Sequence, residues 1–129
     1  MDMVSDTNVF LAIALNEPEK DRVIQLTTDN GVIAPEILPY EIGNALTALV
    51  KQKKLTHDEA LSAFDVTSRT PVRLVQVDIR KALELALEFN IYAYDAYFLQ
   101  AAKSLFCPLI TLDKRMQQIA RTLNIQVLE

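Results

Sequence analysis

Glycine occurs twice in these 129 residues, histidine once, cysteine once and tryptophan not at all. Gly31 and Gly43 are too few and too far apart for a phosphate-cradling loop or a dinucleotide fingerprint, which need clustered glycines. Cys107 alone excludes an intramolecular disulfide framework and a multi-cysteine zinc site. His57 alone excludes a histidine-pair metal site. No apolar run approaches the roughly 20 residues that cross a bilayer, and the start of the chain is acidic rather than basic. A reducing, cytoplasmic setting with no membrane partner is therefore expected. What is present is ample apolar material: half the residues are hydrophobic and the mean hydropathy is +0.13. That composition argues against disorder, and the length suits one domain spanning residues 1–129. Any chemistry must come from carboxylates and hydroxyls.

Turn residues and five prolines cut the chain into short segments of alternating type. An apolar start at 3–5 ends in Asp6-Thr7-Asn8, which favour turns and helix N-caps. The spacing predicts a buried helix over 9–15, an amphipathic helix over 19–28, a turn at 29–31 and a strand over 32–35. A long helical pattern covers 36–54, with Pro39 in its first turn and Ile42, Ala45, Leu46, Leu49 and Val50 as its apolar stripe. Thr56 and Glu59 form a capping box that opens a helix to Arg69. A strand over 72–77 follows, then a helix capped by Asp78 with Ala82, Leu85, Ala86 and Phe89 facing inward. Asp95 is expected to open a helix over 96–105. A strand over 108–112, a helix over 114–123 and a strand over 125–128 complete the chain. Interleaved strands and helices imply a mostly parallel central sheet, covered on both faces in an α/β architecture. Ligands of such sheets sit beyond the carboxyl ends of the strands, where Asp6 and Asp113 fall.

Four acids occupy positions that are costly without a use. Asp6 and Asp113 end apolar strands, Glu41 lies one turn into the long helix, and Asp95 sits within Ile91-Tyr-Ala-Tyr-Asp-Ala-Tyr-Phe-Leu99. A helix N-cap accounts for Asp6, Asp95 or Asp113 taken singly, at about 1 kcal/mol each. Caps do not account for acids inside apolar stretches on several segments that share one edge of a sheet. Gathered carboxylates repel and hold their protons more tightly unless a cation neutralises them. Oxygen donors without histidine or thiolate suit a hard ion, Mg²⁺ or Mn²⁺. Such an ion polarises a phosphoryl oxygen and lowers the pKa of a water, the chemistry of phosphodiester hydrolysis.

The stretches Val-Ser-Asp6-Thr-Asn, Glu41-Ile-Gly-Asn-Ala-Leu, Tyr-Asp95-Ala-Tyr-Phe-Leu-Gln-Ala-Ala and Leu-Ile-Thr111-Leu-Asp113-Lys-Arg-Met, in that order and spacing over nearly the whole chain, resemble a PIN domain. In particular they resemble the small VapC-type ribonuclease toxins of prokaryotic toxin–antitoxin pairs. The resemblance implies a three-layer α/β/α PIN-like fold and Mg²⁺- or Mn²⁺-dependent endoribonuclease activity on RNA. It implies metal ligation by Asp6, Asp95 and Asp113, with Glu41 as a ligand or water-positioning base. Thr7, Asn8 and Thr111 match positions that support the acids, Thr111 by a hydrogen bond to a neighbouring carboxylate. A cognate antitoxin protein and a homodimer are the partners it implies. Two positions depart from the pattern: Met116, where relatives often carry phenylalanine, and Gln117, near which some relatives carry a further acid.

Charge does not oppose this reading. The net charge is −4, yet setting the four acids aside leaves 13 acids against 13 bases, and positive charge can be local. Lys51, Lys53 and Lys54 form the clearest basic cluster, although a solvated helix end explains them equally well. Lys114 and Arg115 adjoin Asp113 and are the better candidates for RNA phosphates. Tyr92, Tyr94 and Tyr97 could stack on bases, or equally belong to the core or a dimer surface, and are left outside the expected site. Two other functions stay open: a PIN-fold nuclease of RNA processing without a toxin role, and a non-catalytic binding module whose acids are caps.

Overall fold

Met3-Val4, Ile33-Ala34 and Leu109-Ile110 are apolar without alternation, and a strand of that kind needs cover on both faces. The computed structural model describes residues 1–28 and 30–128 and places these pairs at the middle of a five-stranded, all-parallel sheet. The strands are β1 (Asp2–Ser5), β2 (Gly31–Pro35), β3 (Arg73–Val75), β4 (Leu109–Ile110) and β5 (Val127–Leu128). The helices are α1 (Thr7–Ala14), α2 (Lys20–Thr27), α3 (Leu38–Lys51), α4 (His57–Arg69), α5 (Ile79–Phe89), α6 (Ala93–Leu105) and α7 (Lys114–Thr122). The strand order is β3-β2-β1-β4-β5, so β1 is central, and the winding reverses between β1 and β4. Val4 pairs with Leu109 and Ser5 with Ile110 across that reversal. Of the expected turn at 29–31, Asp29 lies outside the described residues.

Successive strand residues feed opposite cores. Val4, Ile33 and Leu109 join the larger cluster with Leu38, Ile42, Phe98, Leu99 and Met116, whereas Met3 and Ile110 pack with Val9 and Val23 in a smaller one. Among the described residues seven helices flank the sheet, giving the α/β/α layering.

Element boundaries differ from the sequence pattern for local reasons. The long helix begins at Leu38 because the Glu36 N–H still donates to the Val75 carbonyl, which ties it to β3. It stops at Lys51 because Lys53 is left-handed (φ 60°) and the Lys53 and Lys54 amides turn back to the carbonyls of Val50 and Leu49. The strand expected over 108–112 keeps only Leu109–Ile110, since Thr111 turns its hydroxyl to the acids described below. The helix expected to open at Asp95 starts at Ala93, with Tyr92 as its cap residue. Asp95 is thus a first-turn side chain and not a cap.

One buried polar group is unmatched. Ser5 is fully buried, and its hydroxyl is the side-chain oxygen without a hydrogen-bond partner among the described residues. It has the parity of Met3 along β1 and so faces the smaller, apolar core. Ser5→Ala is expected to raise unfolding free energy by about 1 kcal/mol in urea titrations, because the hydroxyl is desolvated without compensation. A lower midpoint would show that the hydroxyl has a partner.

Candidate active site

Four helices that begin at the carboxyl edge of the sheet each carry one of the four acids at the start. Asp6 caps α1, Glu41 and Asp95 lie in the first turns of α3 and α6, and Asp113 caps α7. Partial positive charge at helix N-termini favours an anion at each position, which eases bringing like charges together. The place is the winding reversal between β1 and β4, where open parallel sheets leave a crevice.

Asp6 is the best-buried acid, 4% exposed. One carboxylate oxygen, Oδ1, accepts from the Val9 N–H at 3.2 Å, and Oδ2 accepts from the Thr111 hydroxyl at 2.5 Å. Burial pushes its pKa up to about 6; the bonds from Thr111 and Val9 pull it down, and the charges of Asp95 and Asp113 add to the rise. Glu41 is held by the Thr7 hydroxyl, which donates to Oε2 at 2.7 Å. Its pKa is raised by burial, lowered by that bond and raised further by Asp95. Asp95 is likewise raised, by burial first and by Asp113 second. Electrostatic coupling thus links all four acids, although they come from segments up to 107 positions apart.

Thr111 is the keystone between two of them. Its hydroxyl donates to Asp6 and accepts the Asp113 N–H at 3.1 Å. Asp113 turns Oδ1 to its own helix, accepting from the amides of Arg115 (2.8 Å) and Met116 (3.1 Å). Gln117 fixes the same strand end by donating its side-chain amide to the Thr111 carbonyl at 2.8 Å. Gln117, one of the two positions noted above as departing from the pattern, thus anchors the Thr111 backbone. Met116 is buried, with its sulfur beside the Thr111 hydroxyl. Thr111→Val is expected to cost about 2 kcal/mol, since it leaves Asp6 and the Asp113 amide short of partners. The loss should be larger at pH 8 than at pH 5, because the hydroxyl stabilises the charged form of Asp6. Equal losses at both values would show that Asp6 gains nothing from this bond.

Asp6, Glu41 and Asp95 line one hollow of about 170 Å³ together with Thr7, Asn8, Asn44, Ala45 and Phe98. Asp113 lines an adjoining groove of about 520 Å³, and Asn8 and Ala45 belong to both. Asn44 was missed in the sequence, although it stands three residues after Glu41 and hence on the same helix face. No lysine, arginine or histidine among the described residues lines the hollow. Among the described residues no three histidine, cysteine or carboxylate side chains already stand as a ready-made metal cage. The donor chemistry nevertheless fits a hard cation: one buried and several half-buried carboxylates that repel one another, with no described cationic side chain lining the hollow.

The basic residues divide. Lys114 is exposed beside Asp113. The Arg115 guanidinium donates to the Phe89 carbonyl at 3.1 Å, at the end of α5. Lys51 lies at the far end of α3, about 15 Å along the helix from Glu41 at 1.5 Å per residue, and Lys53 and Lys54 follow it. His57 is exposed in the first turn of α4, and the capping box of Thr56 and Glu59 is formed.

Known proteins resemble the chain in this same frame. A fragment-free likeness over almost the whole length is seen with VapBC2 of Rickettsia felis, solved bound to a DNA fragment from their promoter: 16% identity, TM-score 0.69, covering 99% of this chain and 98% of that one. VapBC-1 of nontypeable Haemophilus influenzae gives 21% identity, TM-score 0.66 and coverage of 100% and 98%. A protein of Pyrobaculum aerophilum gives 20% identity, TM-score 0.67 and coverage of 96% and 90%. Comparison with curated proteins returns no match. The family model of the PIN domain matches residues 3–122, from the first strand to the end of α7, and the chain therefore belongs to the PIN domain family.

Proposed function

We propose that this chain is a divalent-metal-dependent endoribonuclease, and that it is the toxin of a type II toxin–antitoxin pair. The observation that carries the reading is the convergence of three carboxylates, Asp6, Glu41 and Asp95, on one hollow that no described lysine, arginine or histidine lines, with Asp113 in the adjoining groove and coupled to Asp6 and Asp95. PIN domains are in general nucleases, and two of the similar folds are those of VapBC proteins, which supports the toxin assignment.

Asp6, Asp95 and Asp113 would hold Mg²⁺ or Mn²⁺, with Glu41 beside them. When bound, the ion supplies charge neutralisation at the scissile phosphate and acidifies a water. The chain's own groups do the rest. Thr111 holds Asp6 in its ionised form, and Thr7 aims Glu41 into the hollow, where its raised pKa suits it to accept a proton from the attacking water. Lys114 is the cation best placed to meet the RNA backbone. A homodimer and a cytoplasmic location belong to the same reading. The adjoining groove combines Leu11, Leu15 and Leu49 with Glu17 and Glu19, a lining complementary to an antitoxin segment with apolar and basic side chains.

Incubating the purified protein with single-stranded and structured RNAs, with Mg²⁺, Mn²⁺ or chelator, tests the chemistry. New RNA ends are expected with metal and none with chelator; cleavage indifferent to metal would refute it. Growth arrest on expression, relieved by a small protein encoded alongside, is expected of the toxin. Unaffected growth with an active enzyme would assign it to RNA processing instead.

A further inference from the structure

All four tyrosines of the chain, Tyr40, Tyr92, Tyr94 and Tyr97, fall at the starts of just two helices, α3 and α6. These are the helices that supply Glu41 and Asp95. Tyr40 directly precedes Glu41 and is 76% exposed, an expensive position for a ring with no duty. Tyr97 follows Asp95 by two and packs edge-on against Tyr94, with ring centres 6.2 Å apart. Tyr40 and Tyr97 line a cleft of about 540 Å³ beyond the carboxyl ends of β2 and β3, together with Ile37, Val77 and Ile79. This cleft is separate from the acidic hollow, and the two are joined only through α3 and α6.

We propose that the cleft between Tyr40 and Tyr97 is a nucleobase-binding site that seats a base of the RNA strand flanking the bond cut at the acids. The inference rests on the ribonuclease reading above. The chemistry of the lining selects the ligand. Among the described residues no lysine, arginine or histidine lines the cleft, so it offers no side-chain cation to a phosphate. Glu36 and Gln76 are exposed at its border, and a carboxylate there repels phosphate while accepting N–H donors of a base edge. A flat uncharged ring between aromatic and aliphatic side chains is what remains, and stacking tolerates any base sequence. The division of labour is physical: the acids act on the backbone while the tyrosines hold a base, which keeps the strand from sliding through the hollow.

The test uses the full chain and a six-nucleotide single-stranded RNA. Because tryptophan is absent, the intrinsic emission comes from the four tyrosines, two of which line the cleft, and comparison with Tyr40→Leu and Tyr97→Leu isolates their share. Quenching by the RNA is expected, with none from inorganic phosphate. Tyr40→Leu and Tyr97→Leu should each raise Kd and KM about tenfold, as loss of one stacked base predicts, with kcat within about twofold. Tyr40→Phe should restore binding, since the ring and not the hydroxyl is used. Tyr40 is exposed, so its variants are expected to fold; melting curves check Tyr97→Leu. If the parent cleaves RNA with metal but both leucine variants keep the parental Kd and KM, the base site is wrong and the nuclease stands. If the parent neither binds nor cleaves RNA, both readings fall. A mononucleotide bound as tightly as the hexamer would make the cleft a free-nucleotide site and overturn the strand assignment. Loss of a dimer in Tyr40→Leu with RNA binding unchanged would assign the cleft to a second copy of the chain.

Discussion

Asp6→Asn is expected to abolish RNA cleavage, by at least about a thousandfold, and at the same time to make the metal-free fold more stable at neutral pH. The first effect follows from the central place of Asp6, which touches Thr111 and couples to Asp95 and Asp113. The second follows from its pKa, raised from 3.8 to about 6 by burial. Between about pH 4 and pH 6 the native state holds a proton that the unfolded chain has released. Stability therefore falls as pH rises through that window, and above it the deficit is complete. A shift of about two pKa units corresponds to about 3 kcal/mol. Asparagine stays neutral, so the variant escapes the deficit. Urea unfolding with chelator at pH 5 and pH 7.5 should show a steep decline for the parent and a shallower one for the variant. A variant that still cuts RNA, or that is the weaker fold at pH 7.5, contradicts the assignment.

Adding Mn²⁺ or Mg²⁺ should reverse the same deficit. A metal bound only by the native state at one hundred times its Kd adds about 2.7 kcal/mol, a rise in melting temperature of about 10 °C for a chain of this size. Protons and metal compete for Asp6, so the gain should fade as pH falls through about 6. Asp95→Asn should reduce it as well, because Asp95 lines the same hollow. Calorimetric melts at pH 5, 6 and 7.5 across a metal titration provide the check. A melting temperature unmoved by either ion at pH 7.5 would leave Asp6 and Asp113 as helix caps and Glu41 and Asp95 as first-turn charges, with no metal site.

The alternation of strands and helices was legible from punctuation and apolar runs, and the parallel sheet followed from connectivity. The family match to residues 3–122 bears out the resemblance carried by four short stretches. Boundaries were less legible, because tertiary partners set them. Asp95 looks like a cap in sequence, yet Tyr92 takes that place and the helix starts earlier. Asp6 and Asp113 do cap their helices, so capping and site membership coincide in the same side chains. That Thr111 would bridge Asp6 and the Asp113 amide was half-visible: a bond to a carboxylate was implied by the resemblance, but its second bond needed coordinates. The anchoring by Gln117 left no trace in sequence, because an exposed-looking glutamine on a helix has no pattern that names its partner. The tyrosine cleft was hidden for a related reason: its lining comes from three separate segments.

The central strand is the first one made, but the groups that complete its carboxyl end arrive last. Asp6 finds its hydroxyl partner 105 positions downstream, and Asp113 comes later still. On the ribonuclease reading proposed above, the chain is expected to spare nearby messages until the segment carrying Thr111 and Asp113 has emerged. Long-range closure of this kind slows folding, which on that reading sets an interval between translation and activity.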